Sequence, residues 1–492
     1  MNSAFKAWRK RVEWKSHGWC NVFTVSFIVV ALLFVFIGLP ILGQNNWGRP
    51  RKSHSSANLA DDLRYKKMSD NYTTLNQPLK PEKLPIDEDT PESARTWTSS
   101  NGEDWVLVFS DEFNEDGRTF NPGDDPVFEG VNLWYWPTQD YEFYDPGQLS
   151  TKDGKLVITM EKSDKYEGHD YISGMAQSWN KFCFQGGYLE VKVSLPGNGE
   201  YPGFWPAVWT LGNLGRAGYG ATTDGLWPYT YNSCDEGVLV NQTNPTLSGL
   251  PGQRLNACVC KGDHPSPGIG RGAPEIDIFE GAVAWGGGPT MSMSCQVAPF
   301  DFHYQIQTDK TEILTTQPKG AVNYTEHNSY IGGPLQQSVS AVHHIDKAWS
   351  GGKGYNTYGF EYEPGNKGYV QWYAGQKGVW RLNADAIGEN KLSRVGARVI
   401  PEEPMYIIMN FGMSDSFGGV DFNNLKFPAH MYIDYVRLYQ HPDKIRLSCD
   451  PPDRPTSKYI QDHARAYFNT DIKNWKATNY SLPEYSINNK CK

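Results

Sequence analysis

Two hydrophobic patterns divide the chain. The first is an unbroken apolar run. No Asp, Glu, Lys or Arg occurs between Lys15 and Arg49, and Val22 to Leu42 is apolar almost throughout. A bilayer core takes ~20 apolar residues in helical form, so the run predicts one transmembrane helix over 19–43. It is longer than the apolar region of a cleaved signal peptide and lacks small residues at a cleavage site, which marks an uncleaved signal anchor. Lys6, Arg9, Lys10, Arg11 and Lys15 against Glu13 place the basic tail, 1–18, in the cytosol.

The second pattern is alternation. Leu189, Val191, Val193 and Leu195 share one face of a strand, and Tyr188, Glu190 and Lys192 the other. Further strands are predicted at Asp104–Phe113, Lys155–Glu161, Tyr358–Tyr362, Tyr369–Ala374, Pro404–Asn410 and Met431–Tyr439. One short helix is predicted at Lys458–Phe468. Many short strands separated by turn residues predict an all-β, two-sheet sandwich. Residues 44–98 are polar, carry scattered Pro and Ser and read as a stalk. The strand-rich domain is placed at 99–442 and a C-terminal tail at 443–492. Residues 212–272 interrupt the strands with a long segment rich in Gly, Pro, Asn and Thr, and a loop of that length is usually functional. Cys234, Cys258 and Cys260 pin it.

Composition sharpens this picture. Of 492 residues, 14% are aromatic, including 17 Trp and 28 Tyr. Such rings suit a sugar cleft as well as core packing. The net charge of −9 and the lack of a basic patch exclude a nucleic-acid partner. Sequons at Asn71, Asn241, Asn323 and Asn479 all follow the anchor, as N-glycosylation requires. So do seven of eight cysteines, an odd number that leaves at least one unpaired or paired between chains. Cys20, beside the membrane, is a candidate for acylation or an ordinary anchor residue.

The sharpest chemical signal is Glu275-Ile276-Asp277-Ile278-Phe279-Glu280. Residues i and i+2 of a strand share a face, so Glu275 and Asp277 point together. Glu280 joins them only if the strand carries a β-bulge. Three neighbouring buried carboxylates are costly unless they share protons or hold a ligand. The competing readings are an acidic strand on a solvated face and a calcium site, although the spacing is not that of an EF-hand.

This strand resembles the active-site strand of glycoside hydrolase family 16, the laminarinase-like β-jelly-roll enzymes. The likeness runs in order through Leu107–Asn114, Phe184–Glu190, Trp205–Gly212, Tyr358–Tyr362 and Met431–Tyr439. The anchor, the cysteine-bearing insertion, Gly270–Pro274 and the Cys449-Asp450-Pro451-Pro452 tail further resemble the fungal β-glucan synthesis-associated proteins. Those are type II membrane proteins of the secretory pathway, implicated in making cell-wall β-1,6-glucan. The resemblance implies a β-jelly-roll, a lumenal or extracellular domain, a β-glucan substrate and glucan synthesis machinery as partner. It implies Glu275 as nucleophile, Glu280 as general acid/base and Asp277 as the assisting carboxylate, with retention at the anomeric carbon. It also implies sugar stacking at Trp205, Trp209 and, more weakly, Trp372. No cofactor or catalytic metal is expected. Some relatives hold a structural calcium, for which Glu112 and Asp434 lie in matching strands. His343-His344 reads as a surface pair. About sixty residues separate the Trp205–Gly212 strand from the carboxylates, a departure from ordinary family members. It leaves hydrolysis, transglycosylation and a non-catalytic glucan-binding scaffold open.

Overall fold

A computed structural model describes residues 63–70, 84–238, 252–259, 262–298, 307–333, 336–392 and 394–483. The expected tail and anchor (1–43), Asn71, Asn241, Cys20, Cys260 and Cys491 lie outside the described residues. Among the described residues no helix is long and apolar enough to cross a membrane.

The main strands are β1 (Thr96–Thr98), β2 (Asp104–Asp111), β3 (Leu156–Lys162), β4 (Met175–Gln177), β5 (Gly187–Ser194), β6 (Trp205–Gly212), β7 (Glu275–Val283), β8 (Pro289–Val297), β9 (Gln336–His344), β10 (Asn356–Glu363), β11 (Tyr369–Ala374), β12 (Lys377–Asn383), β13 (Met405–Gly412) and β14 (Ala429–Gln440). They form a two-sheet sandwich of the jelly-roll kind. The outer sheet runs β12-β11-β10-β5-β14-β3, and β2 adds to β14. The cleft sheet runs β9-β8-β7-β6-β13-β4, its strands pairing antiparallel.

The alternation in the sequence explains the main core. Leu189, Val191 and Val193 of β5 pack with Phe360, Trp372 and Val436 from the outer sheet. Ile276, Ile278, Phe279, Met291, Met293 and Met409 meet them from the cleft sheet. Cys295 lies in this core as a free thiol.

Two expectations change. Residues 84–98 are not stalk: β1 pairs with β2, and Trp97 stacks on Tyr188 with centroids 4.0 Å apart. Leu84 packs against the main core, while Ile86 and Trp97 pack against a separate hydrophobic cluster of Trp105, Leu107, Tyr188, Tyr373 and Tyr439. Partial burial of these apolar side chains holds the segment, together with hydrogen bonds such as Thr90 Oγ1 to Glu112 Oε1 at 2.9 Å and Trp97 Nε1 to Glu361 Oε2 at 3.3 Å. The predicted helix at 458–468 is two short helices, α1 (Ser457–Asp462) and α2 (Ala464–Phe468), with His463 between them outside the helical region. The insertion and the tail fold together. Leu214, Leu226 and Leu255 of the insertion share a second core with Tyr459, Tyr467 and Trp475 of the tail. Disulfides Cys183–Cys449 and Cys234–Cys258 fasten the tail and the insertion.

Candidate active site

Strand β7 lies at the centre of the cleft sheet, between β6 and β8. Directly opposed residues in antiparallel strands share a face. Glu275 opposes Leu211 and Gln296, Asp277 opposes Trp209 and Ser294, and Glu280 opposes Ala207 and Ser292. On β6 those partners fall at every second position, whereas on β7 the last step spans three residues. The register shift lies between Asp277 and Glu280. It is a bulge, and it puts all three carboxylates on one face while Ile278 and Phe279 both enter the core.

Each carboxylate has a defined partner. The indole Nε1 of Trp227 donates to Glu275 Oε2 at 2.6 Å. The indole of Trp205 donates to Glu280 Oε1 at 3.2 Å, and its ring stacks on Phe417 with centroids 4.4 Å apart. Gln296 Nε2 donates to Asp277 Oδ2 at 3.3 Å. Beside them, Trp209 donates to Asn410 Oδ1 at 2.8 Å, and Asn410 Nδ2 donates to the Tyr144 hydroxyl at 3.0 Å.

Electrostatics sets these three carboxyls apart from ordinary ones. Both glutamates keep part of their surface open, yet the atoms packed around them displace the water that would stabilise a charge. Burial pushes the Glu275 carboxyl up to about 7, against the lowering effect of hydrogen bonds from Trp227 and Asp277. Burial and then the charge of Glu275 push Glu280 up to about 8, against the Trp205 hydrogen bond. Asp277 is held well above the ordinary range by burial, then by the charges of Glu275 and Glu280. The three titrate as one set. Tyr135 belongs to the same environment: burial, then the charge of Glu275, raises its phenol well above the ordinary value.

The family model described as beta-glucan synthesis-associated protein SKN1/KRE6/Sbg1 matches residues 2–491. The chain belongs to this family. It is 40% identical over 97% of its length to the beta-glucan synthesis-associated protein SKN1 of Candida albicans. It is 40% identical over 95% of its length to KRE6 of Saccharomyces cerevisiae. The chain spans 63% of the length of each of these curated relatives. Among solved structures, the catalytic domain of an endo-1,3-beta-glucanase (laminarinase) from Thermotoga petrophila is 20% identical. That match covers 69% of this chain and 99% of the other, with a TM-score of 0.42.

The insertion and tail explain a residue that sequence reasoning missed. Trp227 comes from the insertion, 48 positions before Glu275 in the chain. Its only sequence signal is a Trp next to a Pro in a segment otherwise poor in periodicity. Tyr135 and Asn410 also escaped notice, since neither stands in a pattern distinct from core packing.

The sugar-stacking candidates divide. Trp205 is partly open beside Glu280. Trp209 lies on the carboxylate face but is 9% exposed, with its ring mostly packed. Trp372 is corrected: it is fully buried on the outer sheet, stacks on Trp380 at 4.4 Å, and has no ring face open to a sugar. The histidine pair is corrected as well. His343 is 1% exposed and bonds the Thr325 hydroxyl at 2.9 Å, whereas His344 is partly open beside Glu326. The two carboxylates considered for calcium do not fit a cation. Arg437 grips Glu112 through two hydrogen bonds of 2.9 and 2.8 Å, and Lys192 pairs with Asp434 at 2.8 Å. Asn323 and Asn479 are exposed at the surface.

Proposed function

We propose that the chain is a membrane-anchored β-glucan-active glycosidase or transglycosylase of the secretory pathway. It acts in β-glucan assembly of the fungal wall, including β-1,6-glucan. The observation that carries this reading is the bulge, which gathers Glu275, Asp277 and Glu280 on one face. Family membership and the names of the relatives support the glucan substrate. The apolar run over 19–43 and the downstream sequons support a type II topology, with the catalytic domain in the lumen or outside the cell.

In this mechanism ionised Glu275 attacks the anomeric carbon, and protonated Glu280 gives its proton to the leaving oxygen. Glu280 then removes a proton from the incoming hydroxyl as it displaces Glu275. Asp277 keeps its proton and donates to Glu275, which prevents two adjacent charges. Water as acceptor gives hydrolysis, and a glucan hydroxyl gives transfer. Incubation of the chain with defined β-1,3- and β-1,6-linked gluco-oligosaccharides, followed by mass analysis, separates the outcomes. Longer products mean transfer and shorter ones hydrolysis. Tight binding without any product means a scaffold that supports a synthase.

A further inference from the structure

We propose that Trp227 is a positioning residue for the second half-reaction, holding the carboxylate of Glu275 as the glycosyl-enzyme breaks down. This deepens the retaining reading above and depends on it.

The argument starts from where the indole comes from. Trp227 stands on a turn that the insertion builds and the tail fixes. Its backbone N–H donates to the Thr223 carbonyl at 2.9 Å, and the Ala273 N–H donates to the Leu226 carbonyl at 2.9 Å. The second bond ties the turn to the residues that enter β7. Arg254 spans the other side of the turn, with Nε on the Asp224 carbonyl at 3.1 Å and Nη2 on the Thr222 carbonyl at 3.2 Å. The guanidinium lies 3.6 Å from the ring centroid of Trp475, so a tail side chain caps the clamp. Leu226 is fully buried in the shared core. The indole N–H is therefore held in place before any substrate arrives, and it meets Glu275 Oε2 at 2.6 Å.

An indole N–H only donates. In this proposal Oε1, the oxygen that the indole does not hold, bonds the anomeric carbon. In the glycosyl-enzyme, Glu275 is an ester and Oε2 its neutral carbonyl oxygen. In the second step a hydroxyl attacks the anomeric carbon and the carbon–Oε1 bond breaks. The electron pair returns to the carboxylate, and the proton of the attacking hydroxyl passes to Glu280. Negative charge thus reappears next to the Trp227 donor, and a hydrogen bond to a charged acceptor is the stronger kind. The indole stabilises the departing carboxylate more than the ester. In the first step the same bond stabilises the attacking carboxylate and so gives no advantage there.

The test uses the full chain in detergent with β-1,3- and β-1,6-linked gluco-oligosaccharides. Trp227→Phe keeps a ring and removes the donor. The expected result is a kcat lowered roughly tenfold to a hundredfold, with KM lowered alongside it. A glycosyl adduct on Glu275, seen by intact mass and peptide mapping, then accumulates where the wild type shows little. The acid limb of the kcat/KM profile moves up by about one pH unit, a change that a purely structural role for the indole would not produce. Where Trp227→Phe fails to fold, benzothienylalanine at 227 replaces the N–H by sulfur and preserves the ring's shape. Unchanged kcat and no adduct in the folded variant overturn the proposal, as does a lowered kcat with no adduct and an unmoved acid limb. These results leave the retaining reading intact, because the wild type still turns over. A wild type that forms neither product nor adduct overturns both.

Discussion

The indole Nε1 of Trp372 on the outer sheet donates to the backbone carbonyl of Asp277 on the cleft sheet, 2.7 Å away. The bond crosses the core and ends where the register of β7 shifts. One sheet thus holds the irregularity that gathers the other sheet's carboxylates. Trp372→Phe leaves a buried carbonyl without this donor, a loss of about 1–3 kcal/mol, plus a further loss for the space vacated. The variant is expected to melt at a lower temperature and to lose kcat with KM nearly unchanged. Thermal melts and steady-state kinetics check both.

The pH dependence of activity follows from the carboxyl set. The proposed mechanism needs Glu275 ionised and Glu280 protonated. Burial raises all three carboxyls, so activity should follow a bell in kcat/KM whose two limbs both lie well above the ordinary carboxylate range and belong to the coupled set. A profile measured from pH 5 to 10 checks this, and a flat profile through neutrality contradicts it.

The same burial has a consequence for stability. Glu280 is held near 8 in the folded chain against an ordinary value of 4.5. A raised carboxyl contributes stability that is fully present below the unfolded value and lost as pH rises through the folded one. Its contribution therefore disappears between about 4.5 and about 8. Glu280→Gln removes the titration. The variant should melt above the wild type at pH 9 and show no such gain at pH 4. Paired melts at the two pH values are the measurement.

The fold was legible where periodicity carried it. Leu189, Val191 and Val193 alternate because one face of β5 meets the core, and the sequence displays that directly. The need for a bulge was legible too, since Glu275 and Glu280, five positions apart, share a face in no regular strand. Trp372 was not legible, because an indole can stack on a sugar or fill a core and the choice depends on which sheet faces it. Trp227 was hidden for another reason. Its partner lies across a long non-periodic segment, and only the joint core of insertion and tail fixes the turn that carries it. Residues 84–98 look like a linker because their apolar side chains are few and widely spaced. They still fold onto the domain, as Trp97 shows.

The tail is expected to matter to the site through that joint core. Cys449→Ser opens the disulfide to Cys183, which closes a loop of 266 positions. A loss of about 2–4 kcal/mol is expected. Loosening of the tail beneath the insertion should also release the Trp227 turn, so kcat falls by more than the unfolded fraction explains. Activity measured well below the melting transition, against a folded-fraction control, checks this.

The central claim is that Glu275 and Glu280 carry out bond chemistry on β-glucan. The most direct measurement is the product profile of the full chain and of Glu275→Gln and Glu280→Gln with defined β-1,3- and β-1,6-linked gluco-oligosaccharides. The account predicts products of retained anomeric configuration from the wild type and none from either variant, each of which remains folded. Wild-type turnover by both variants would contradict it.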